Sequence, residues 1–321
     1  MNLDIKVEKA FNGECIWLRF GDKKKANVLI DSGPARFTIG FKRIIQTIQK
    51  LNEEVNLLIL THIDNDHILG FKNYIFKNDC KLIKKIWLNG DGISIYKYNQ
   101  LLSPRNVGRL VEEIRKKEIT LVTPVCEGYE EKINGASLKV IAPKKEAIIN
   151  LAKLIDKFNL NTGIQYAKSL KKLYLEDKYE EENTDTNKAS ICFVLEYMNK
   201  KIAFLGDAVA TDVIEGLDKY YNNQKMDIVK IAHHGSKKNT NCDLIKKLGA
   251  NEFIISKQSI VHKETIARIA NCCKKSKIYC NYDWWSSKNY FNRTDKSTYI
   301  DSGRLSICEK NLIQISVEEK I

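Results

Sequence analysis

The sequence predicts a layered α/β fold. Short apolar runs typical of strands alternate with stretches of helical spacing, and this strand–helix–strand rhythm is typical of sheets covered by helices. The chain has 321 residues, of which 43% are hydrophobic, and a two-sheet α/β sandwich of that length has a sizeable core. We therefore predict one catalytic domain over residues 1–321 that carries an insertion, rather than two equal domains.

The first half of the chain predicts a β-hairpin followed by alternating helices and strands. Apolar residues at 14–20 and 27–30, separated by a lysine-rich turn, indicate the hairpin, which ends at Asp31-Ser32-Gly33-Pro34. The spacing of isoleucine and leucine predicts a helix at 39–51. The other elements predicted in this half are strands at 55–60, 84–88, 119–122 and 137–141, and helices at 67–76 and 105–117.

Residues 144–188 differ from the sequence around them. They are rich in charge and have no strand pattern, so we predict a helical insertion followed by a mobile loop. An aromatic and basic tail at 282–293 has two open interpretations: a β-ribbon that packs its tryptophans on the core, or a surface on which bases stack. Between insertion and tail we predict strands at 191–197, 202–205, 227–231 and 252–256, and helices at 209–221 and 264–272.

The charge of the chain favours an anionic partner. Lysine and arginine number 53 against 40 acidic residues, which gives a formal net charge of +13. Such a surplus is typical of proteins that bind nucleic acid or a phosphorylated substrate. A generally lysine-rich composition explains the same surplus, and both interpretations stay open. The sequence does not indicate an oligomeric state.

The cysteines and the apolar runs predict a cytoplasmic protein. Nine cysteines are present, an odd number with no CxxC pair, and several such as Cys192 lie inside apolar runs. This usage is typical of reduced, buried thiols. The first residues lack the basic and apolar pattern of a signal peptide, and no apolar run approaches the roughly 18 residues of a membrane span. We therefore expect no membrane association.

Three polar clusters follow predicted strands, at residues 61–67, 206–208 and 233–236. Because strand carboxyl ends at one edge of a sheet open into a common crevice, we expect the clusters to converge. They contain four of the five histidines, and imidazole with carboxylate suits zinc, manganese or iron. The side chains concerned are His62, Asp64, Asp66, His67, Asp207, His233 and His234.

The spacing in the first cluster suits two metal ions. His62 and Asp64 are two residues apart on an extended turn and can point the same way. Asp66 and His67 stand at the start of a helix and can face a second ion. A bridging carboxylate such as Asp207 would then let two metals share one water. Taken singly, Asp66 is also a plausible helix N-cap.

Four motifs in order resemble the metallo-β-lactamase superfamily. His62-Ile63-Asp64-Asn65-Asp66-His67 resembles its His-x-His-x-Asp-His motif, with Asp64 in place of the second histidine, a variant similar to the soluble hydrolase domain of ComEC-type DNA-uptake proteins. The other three are an opening hairpin that ends at Leu29-Ile30-Asp31-Ser32-Gly33, the bridging-aspartate motif at Phe204-Leu205-Gly206-Asp207-Ala208, and Lys230-Ile231-Ala232-His233-His234-Gly235-Ser236. For Asp31 itself, a plain turn residue and a functional residue stay equally open.

The resemblance implies a four-layer αββα sandwich and a two-metal hydrolytic site, with zinc or manganese as the metal. It implies Asp66 as the residue that orients or deprotonates the attacking water, with one of His233 and His234 as a ligand. The other histidine of that pair and His262, in a motif before the last helix, would stabilise the leaving oxygen. The implied catalytic residues are Asp66, His233 and His262, and the implied ligands are His62, Asp64, Asp66, His67, Asp207 and His234.

The sequence departs from the superfamily pattern between residues 68 and 232. No histidine occurs there, although many members supply a further ligand from this stretch. Asn89 or Asp91, after the strand predicted at 84–88, could fill the gap. Ala232 and Lys263 stand where the superfamily usually has proline.

Three functions compete at this point. The first is a phosphodiesterase or nuclease that acts on nucleic acid, favoured by the motif variant, the positive charge and the aromatic tail. The second is a hydrolase of a small ester, lactone, thioester or phosphoester, because one fold hosts many substrates. The third is a non-catalytic metal-binding partner in a multi-protein system, against which the near-complete ligand set argues.

Overall fold

A computed structural model describes residues 2–90, 103–152, 168–287 and 289–316. Within these ranges, seven strands form a first sheet with the order β15-β1-β2-β3-β4-β5-β6. Strands β3 to β6 run parallel, whereas β15, β1, β2 and β3 pair antiparallel. Its strands are β1 (Asn2–Val7), β2 (Ile16–Gly21), β3 (Ala26–Ile30), β4 (Val55–Leu60), β5 (Lys85–Leu88), β6 (Thr120–Val122) and β15 (Leu312–Ser316).

A second sheet of eight strands, counted over the same described ranges, has the order β14-β13-β12-β11-β10-β9-β8-β7. Strands β10 to β14 run parallel, and β7 to β10 form antiparallel pairs. The strands are β7 (Glu130–Ile133), β8 (Ala136–Ala142), β9 (Cys192–Tyr197), β10 (Lys200–Phe204), β11 (Ile228–Lys230), β12 (Glu252–Ile255), β13 (Ser276–Cys280) and β14 (Leu305–Glu309).

Helices cover the outer face of both sheets. Where the chain is described, they are α1 (Thr38–Lys50), α2 (Asn65–Ile75), α3 (Ser103–Lys116), α4 (Lys145–Ala152), α5 (Leu170–Leu175), α6 (Asp185–Lys188), α7 (Ala210–Tyr220), α8 (Cys242–Leu248), α9 (Lys263–Cys272) and α10 (Arg293–Asp295). A π-helical turn follows at Lys296–Ile300, and 3-10 turns lie at Ala35–Phe37, Ala232–Gly235 and Trp284–Ser286.

Three apolar clusters separate four layers. One cluster lies between the sheets and joins residues such as Leu18 and Phe204 from their inner faces. A second packs α1, α2 and α3 on the first sheet, and a third packs α5, α7, α8 and α9 on the second. The predicted four-layer αββα sandwich is therefore confirmed. None of the described helices is long and apolar enough to cross a membrane.

The hairpin and the strand at 55–60 match the prediction, and the other predicted helices and strands are shifted by a few residues at most. Strand β1 escaped the prediction although Leu3, Ile5 and Val7 alternate with exposed or half-buried residues. The edge strands β7, β14 and β15 also escaped it, and most of their residues are exposed or half-buried.

The aromatic tail is not a β-ribbon, and most of its aromatic side chains pack on the core. Residues 284–286 form a 3-10 turn, and Trp284, Tyr290 and Phe291 are buried in the apolar layer over the second sheet. The interpretation that the tail packs its tryptophan on the core was correct, whereas its expected strand structure was wrong. Lys288, which belongs to the same predicted surface, lies outside the described residues.

The insertion predicted at 144–188 contains α4, α5 and α6, while residues 153–167 lie outside the described ranges. The loop between α5 and α6 is bonded to its surroundings. Asp177 accepts two hydrogen bonds from the buried Arg268, at 2.6 and 2.8 Å, and Tyr179 Oη donates to the Lys238 carbonyl at 2.9 Å. These contacts hold the loop against the segment that follows His234.

The turn after β3 is locked onto α2. Ser32 N–H and Ser32 Oγ both donate to the His67 carbonyl, at 2.8 and 2.7 Å, and Ser32 Oγ accepts from Phe71 N–H at 2.8 Å. This close approach depends on Gly70, because a Cβ atom there would stand 1.9 Å from the Ser32 carbonyl oxygen. The turn therefore fixes Asp31 beside the start of α2.

We expect Gly70→Ala to lower the free energy of unfolding by about 1–3 kcal/mol, since the added methyl group meets backbone that cannot move freely. Chemical denaturation would measure the change. In an unconstrained helix the same substitution stabilises by about 1 kcal/mol. A variant as stable as wild type, or more stable, would therefore contradict this close approach.

Candidate metal centre

The predicted polar clusters meet at one edge of the sandwich. His62 and Asp64 follow β4, and Asp66 and His67 lie in the first turn of α2. Asp207 follows β10, and His233 and His234 form the 3-10 turn after β11. The two sheets contact each other there, where Ile191 N–H donates to the Thr61 carbonyl at 2.7 Å. The structure thus brings all seven predicted side chains into one cluster, which we call the histidine–aspartate cluster.

Asp31 orients two of the cluster's imidazoles from beneath. Its Oδ1 accepts from Thr61 N–H at 2.8 Å, and its Oδ2 accepts from Thr61 Oγ at 2.8 Å. The same Oδ2 lies 2.8 Å from His67 Nδ1. Because Thr61 gives its only hydroxyl proton to Asp31, its oxygen accepts from His62 Nδ1, which lies at 3.0 Å. A functional role for Asp31, one of the two interpretations left open, is therefore favoured.

These bonds fix which nitrogen each histidine presents. His62 and His67 hold a proton on Nδ1, and His234 Nδ1 donates to the Ser256 carbonyl at 2.8 Å. Each therefore turns its Nε2 into the cluster, as metal-binding imidazoles do when a second group holds the other ring nitrogen. His233 follows the same pattern, with Asn239 Oδ1 3.0 Å from its Nδ1.

One group of possible ligands contains His62, His67 and Asp207, all buried. Asp207 Oδ2 lies 3.6 Å from Nε2 of His62 and 3.6 Å from Nε2 of His67. Asp64 Oδ2 lies 3.6 Å from His62 Nε2. Within the described chain, His62 Nε2 and Asp207 Oδ1 are buried without a hydrogen-bond partner. Buried polar atoms without a partner are rare and costly unless an ion or water satisfies them.

A second group contains Asp66, His67 and His234. The Nε2 atoms of His67 and His234 face each other at 3.1 Å, and Asp66 Oδ2 lies 3.7 Å from each of them. Two nitrogen ligands bound to one zinc ion by bonds of about 2.0–2.1 Å lie roughly 3–3.5 Å apart. The nitrogen pair therefore has the spacing of two ligands of one cation.

The two groups are coupled through Asp207 electrostatically. Its carboxylate lies within 3.6 Å of His62, His67 and His233, and 4.0 Å from His234. Burial would raise the pKa of Asp207, but the four imidazoles hold it well below its usual range. Asp207 is therefore a fixed negative charge at the centre of the cluster, as a bridging carboxylate must be.

The imidazoles of the second group differ in their pKa values. Burial would lower the pKa of His67, yet the carboxylates of Asp31, Asp66 and Asp207 hold it well above the ordinary value. Burial holds the pKa of His234 well below its ordinary value. The two Nε2 atoms, 3.1 Å apart, therefore belong to rings whose pKa values are shifted in opposite directions.

His233 is the most exposed of the four histidines, with one third of its side chain accessible. Its Nε2 lies 3.6 Å from Asp207 Oδ2. On the other side of its ring, Asn187 Nδ2 and Glu182 Oε2 lie 3.3 and 3.9 Å from Nδ1. Both belong to the insertion, so this segment reaches the cluster, a contact that the sequence did not indicate.

His262 lies beside the cluster but is not joined to it by any hydrogen bond or ion pair between described residues. It is the N-cap residue of α9, and its Nδ1 is buried without a partner. Burial, with Lys257 nearby, lowers the pKa of His262 to about 4. It is therefore neutral near pH 7, and its predicted contact with a leaving oxygen stays a prediction.

Asn89 does not fill the gap in the superfamily pattern. Its side-chain amide donates to the Val125 carbonyl at 2.7 Å and its Oδ1 accepts from Val125 N–H at 2.8 Å. Both of its polar atoms are therefore occupied in holding two loops together, and the suggestion that it acts as a ligand was wrong. Asp91 lies outside the described residues.

The backbone around the cluster is held in an uncommon conformation. Asp31, His233 and His234 have φ angles of 58°, 46° and 51°, in the left-handed region that side chains other than glycine seldom adopt. Such residues persist where the surrounding structure fixes them, and they concentrate at functional sites.

Comparison with known proteins agrees with the sandwich architecture. The family model described as "Metallo-beta-lactamase superfamily" matches residues 10–85, which include Asp31 and the motif at 62–67. With the two-sheet topology, this identifies the metallo-β-lactamase fold. Comparison with curated proteins gives no match.

Several solved structures align with nearly the whole of this chain. The metallo-β-lactamase fold protein YhfI from Bacillus subtilis has 12% identity and a TM-score of 0.47, covering 98% of this chain and 100% of its own. A diphosphatase from the PhnP family has 10% identity and a TM-score of 0.43, covering 98% of both chains. Zn(2+)-bound PqqB from Methylobacterium extorquens has 8% identity and a TM-score of 0.45, covering 95% of this chain and 87% of its own.

Asp31→Asn should weaken the binding of a divalent cation by about 10–100-fold, as loss of a partner that orients metal-binding histidines does elsewhere. The new amide group would face His67 Nδ1 and Thr61 Oγ with donors instead of an acceptor. Competition with a chromophoric chelator would measure the affinity, and circular dichroism would verify the fold. Asp79→Asn, at an exposed aspartate after α2, is the control. If both variants bound the divalent cation with equal affinity, Asp31 would not orient the metal-binding histidines.

Proposed function

We propose that the chain is a hydrolase that uses divalent cations to cleave phosphodiester bonds in nucleic acid. The observation that supports it most is the pair of Nε2 atoms of His67 and His234 at 3.1 Å, with Asp207 between this group and His62. Donors so arranged suit a pair of cations. The nitrogen and oxygen donors favour zinc, with manganese as the alternative.

Asp66 is the residue best placed to handle a proton. Its side chain is 44% exposed, whereas His67 beside it is buried. Asp66 Oδ2 also lies 3.7 Å from the Nε2 atoms of His67 and His234. A cation pair supplies, when bound, a more acidic water and positive charge for a phosphoryl oxygen. Asp66 would orient that water from the open side and accept its proton.

His233 is also partly exposed. It reaches Asp207 with Nε2 while Asn239 holds its Nδ1. From this position, His233 could either bind a cation or contact the leaving oxygen. Because His234 is buried and forms the 3.1 Å pair with His67, we assign His234 as the ligand and His233 to the leaving group. His262 would act beside His233, since its buried Nδ1 has no partner among the described residues.

Three features support nucleic acid as the substrate. The net charge of +13 attracts a polyanion. Asp64 replaces the second histidine of the superfamily motif, as in the similar hydrolase domain of ComEC-type DNA-uptake proteins. A phosphodiester also offers two oxygens to paired cations. A cytoplasmic location remains the prediction made from the cysteines, all of which are free thiols.

Cleavage assays would separate this proposal from its alternatives. Purified chain with added zinc or manganese should cleave a labelled oligonucleotide and bis(p-nitrophenyl) phosphate, and chelation should abolish both activities. Turnover of a lactone or carboxylic ester without cleavage of either phosphodiester would favour a small-molecule hydrolase. A chain that cleaves none of these substrates, with or without bound metal, would instead favour the non-catalytic partner.

Asp66→Ala should lower turnover of the phosphodiester by at least about 100-fold, the usual contribution of a group that takes up a proton. Its thermal midpoint should stay near that of wild type because the side chain is partly exposed. Asp79→Ala is the matched control and should keep wild-type turnover. Normal turnover by Asp66→Ala would rule out the proposed role of this carboxylate.

A further inference from the structure

Lys257 is a cation beside the histidine–aspartate cluster that the proposed function does not use. It follows β12, directly after Ser256, whose carbonyl accepts the bond from His234 Nδ1. Its own N–H donates to Asn281 Oδ1 at 3.1 Å. The main chain at Lys257 is therefore fixed one residue from a group that contacts the cluster.

No acidic side chain in the described part of the chain lies within hydrogen-bond distance of the Lys257 ammonium group. Within the same described ranges, the Lys257 side chain makes no hydrogen bond or ion pair. Burial lowers the pKa of Lys257, and the carboxylates of Asp207 and Asp66 act against that shift. A cation partly withdrawn from water in this position is available to an anion that approaches the cluster.

A stacked pair joins the 3-10 turn at Ala35–Phe37 to the loop between β1 and β2. The guanidinium carbon of Arg36 lies 3.9 Å from the centre of the Phe11 ring, and the Arg36 side chain is exposed. Phe11 N–H donates to Tyr282 Oη at 2.9 Å, and the Phe11 carbonyl accepts from Gln258 N–H at 3.0 Å. The loop that holds Phe11 is thus bonded to the residue that follows Lys257.

The same loop touches the cluster at its other end. A Cβ atom at Gly13 would stand 2.1 Å from the Asp66 carbonyl oxygen, and Glu14 N–H donates to that oxygen at 3.3 Å. Phe11, Arg36 and Lys257 therefore lie on adjoining segments, because Arg36 stacks on Phe11 and the loop of Phe11 is bonded to Gln258 and to the Asp66 carbonyl. We call these three residues the rim.

We propose that the rim binds single-stranded nucleic acid, an inference that rests on the proposed function. Lys257 pairs with a phosphate next to the cluster, and the planar guanidinium of Arg36, supported by Phe11, stacks on an adjacent base. Arginine planes and aromatic rings stack unpaired bases, whereas a duplex hides the faces of its bases. The rim thus takes the role that the sequence had suggested for the aromatic tail, whose Trp284, Tyr290 and Phe291 are buried.

Fluorescence anisotropy with labelled oligothymidylate and oligouridylate of about 12 nucleotides tests the rim directly. The full chain with Asp66→Ala prevents cleavage during the measurement. Lys257→Met should weaken binding about tenfold and reduce the slope of log affinity against log salt by about one, because one phosphate contact is lost. The two probes distinguish DNA from RNA.

Arg36→Lys separates stacking from charge. This variant keeps the cation but loses the guanidinium plane, so binding should weaken by about tenfold with an unchanged salt slope. Lys132 lies on the exposed face of edge strand β7, away from the rim. Lys132→Met therefore removes one positive charge outside the rim, and this variant should bind the oligonucleotides as tightly as the chain with an unsubstituted rim. In the chain with Asp66 intact, Lys132→Met should also leave turnover of bis(p-nitrophenyl) phosphate unchanged, because Lys132 lies on edge strand β7 and not in the cluster or the rim.

Three results would overturn the rim: no binding of either probe, equal losses in Lys132→Met and the rim variants, or a duplex bound as tightly as a single strand. Failure of the proposed function looks different. If the wild-type chain cleaves no phosphodiester while the rim variants lose affinity as expected, the rim stands as a binding surface and the hydrolytic proposal falls.

Discussion

The hydrogen bonds of Asp31 are the constraint on which the cluster depends. One carboxylate holds Thr61 twice and His67 once, each at 2.8 Å, and through Thr61 it also fixes the ring of His62. The consequence is chemical, because a proton fixed on Nδ1 leaves Nε2 free to accept a cation. The fold makes these hydrogen bonds possible because it places Asp31 at the end of β3, next to β4 and against the start of α2.

The balance of charge in the cluster is a second consequence of burial. Four imidazoles surround Asp207, and three of the neighbouring carboxylates act on His67. Several charged groups confined away from water are stable only when their charges compensate each other. A cation could bind between His67 and His234 without moving either ring far, since the Nε2 atoms already lie at ligand spacing.

Most of the fold and of the cluster could be predicted from the sequence. Parallel strands β10 and β11 bring Asp207 and His233 to one edge of the second sheet, so these two residues could be grouped from strand order alone. His62 follows β4 of the first sheet, and the packing of one sheet on the other brings it to them. The role of Asp31 could not be predicted, because an acid in an Asp-Ser-Gly turn has the same local pattern whether it faces solvent or two histidines. Only the long-range bond to His67, 36 residues away, separates the two.

The contacts between the insertion and His233 could not be predicted from the sequence for a related reason. Asn187 and Glu182 belong to a polar segment without periodicity, and their approach to His233 follows from the anchoring of that segment by Arg268 and Lys238. For the aromatic tail, the sequence suggested an exposed surface where the structure has mostly buried side chains. Its tryptophans and tyrosines resemble a stacking surface in the sequence, yet Trp284 and Tyr290 are buried in the apolar layer over the second sheet, and Trp285 and Tyr282 pack partly against it. A phenylalanine near the N-terminus, Phe11, instead stacks under Arg36.

Anomalous diffraction from crystals of the protein grown with zinc or manganese tests the central claim most directly. The account predicts an anomalous peak between the Nε2 atoms of His67 and His234, and a second one beside Asp207 and His62. Crystals that contain the metal at saturating concentration, keep the two nitrogens in direct contact and have no peak at either place would contradict it.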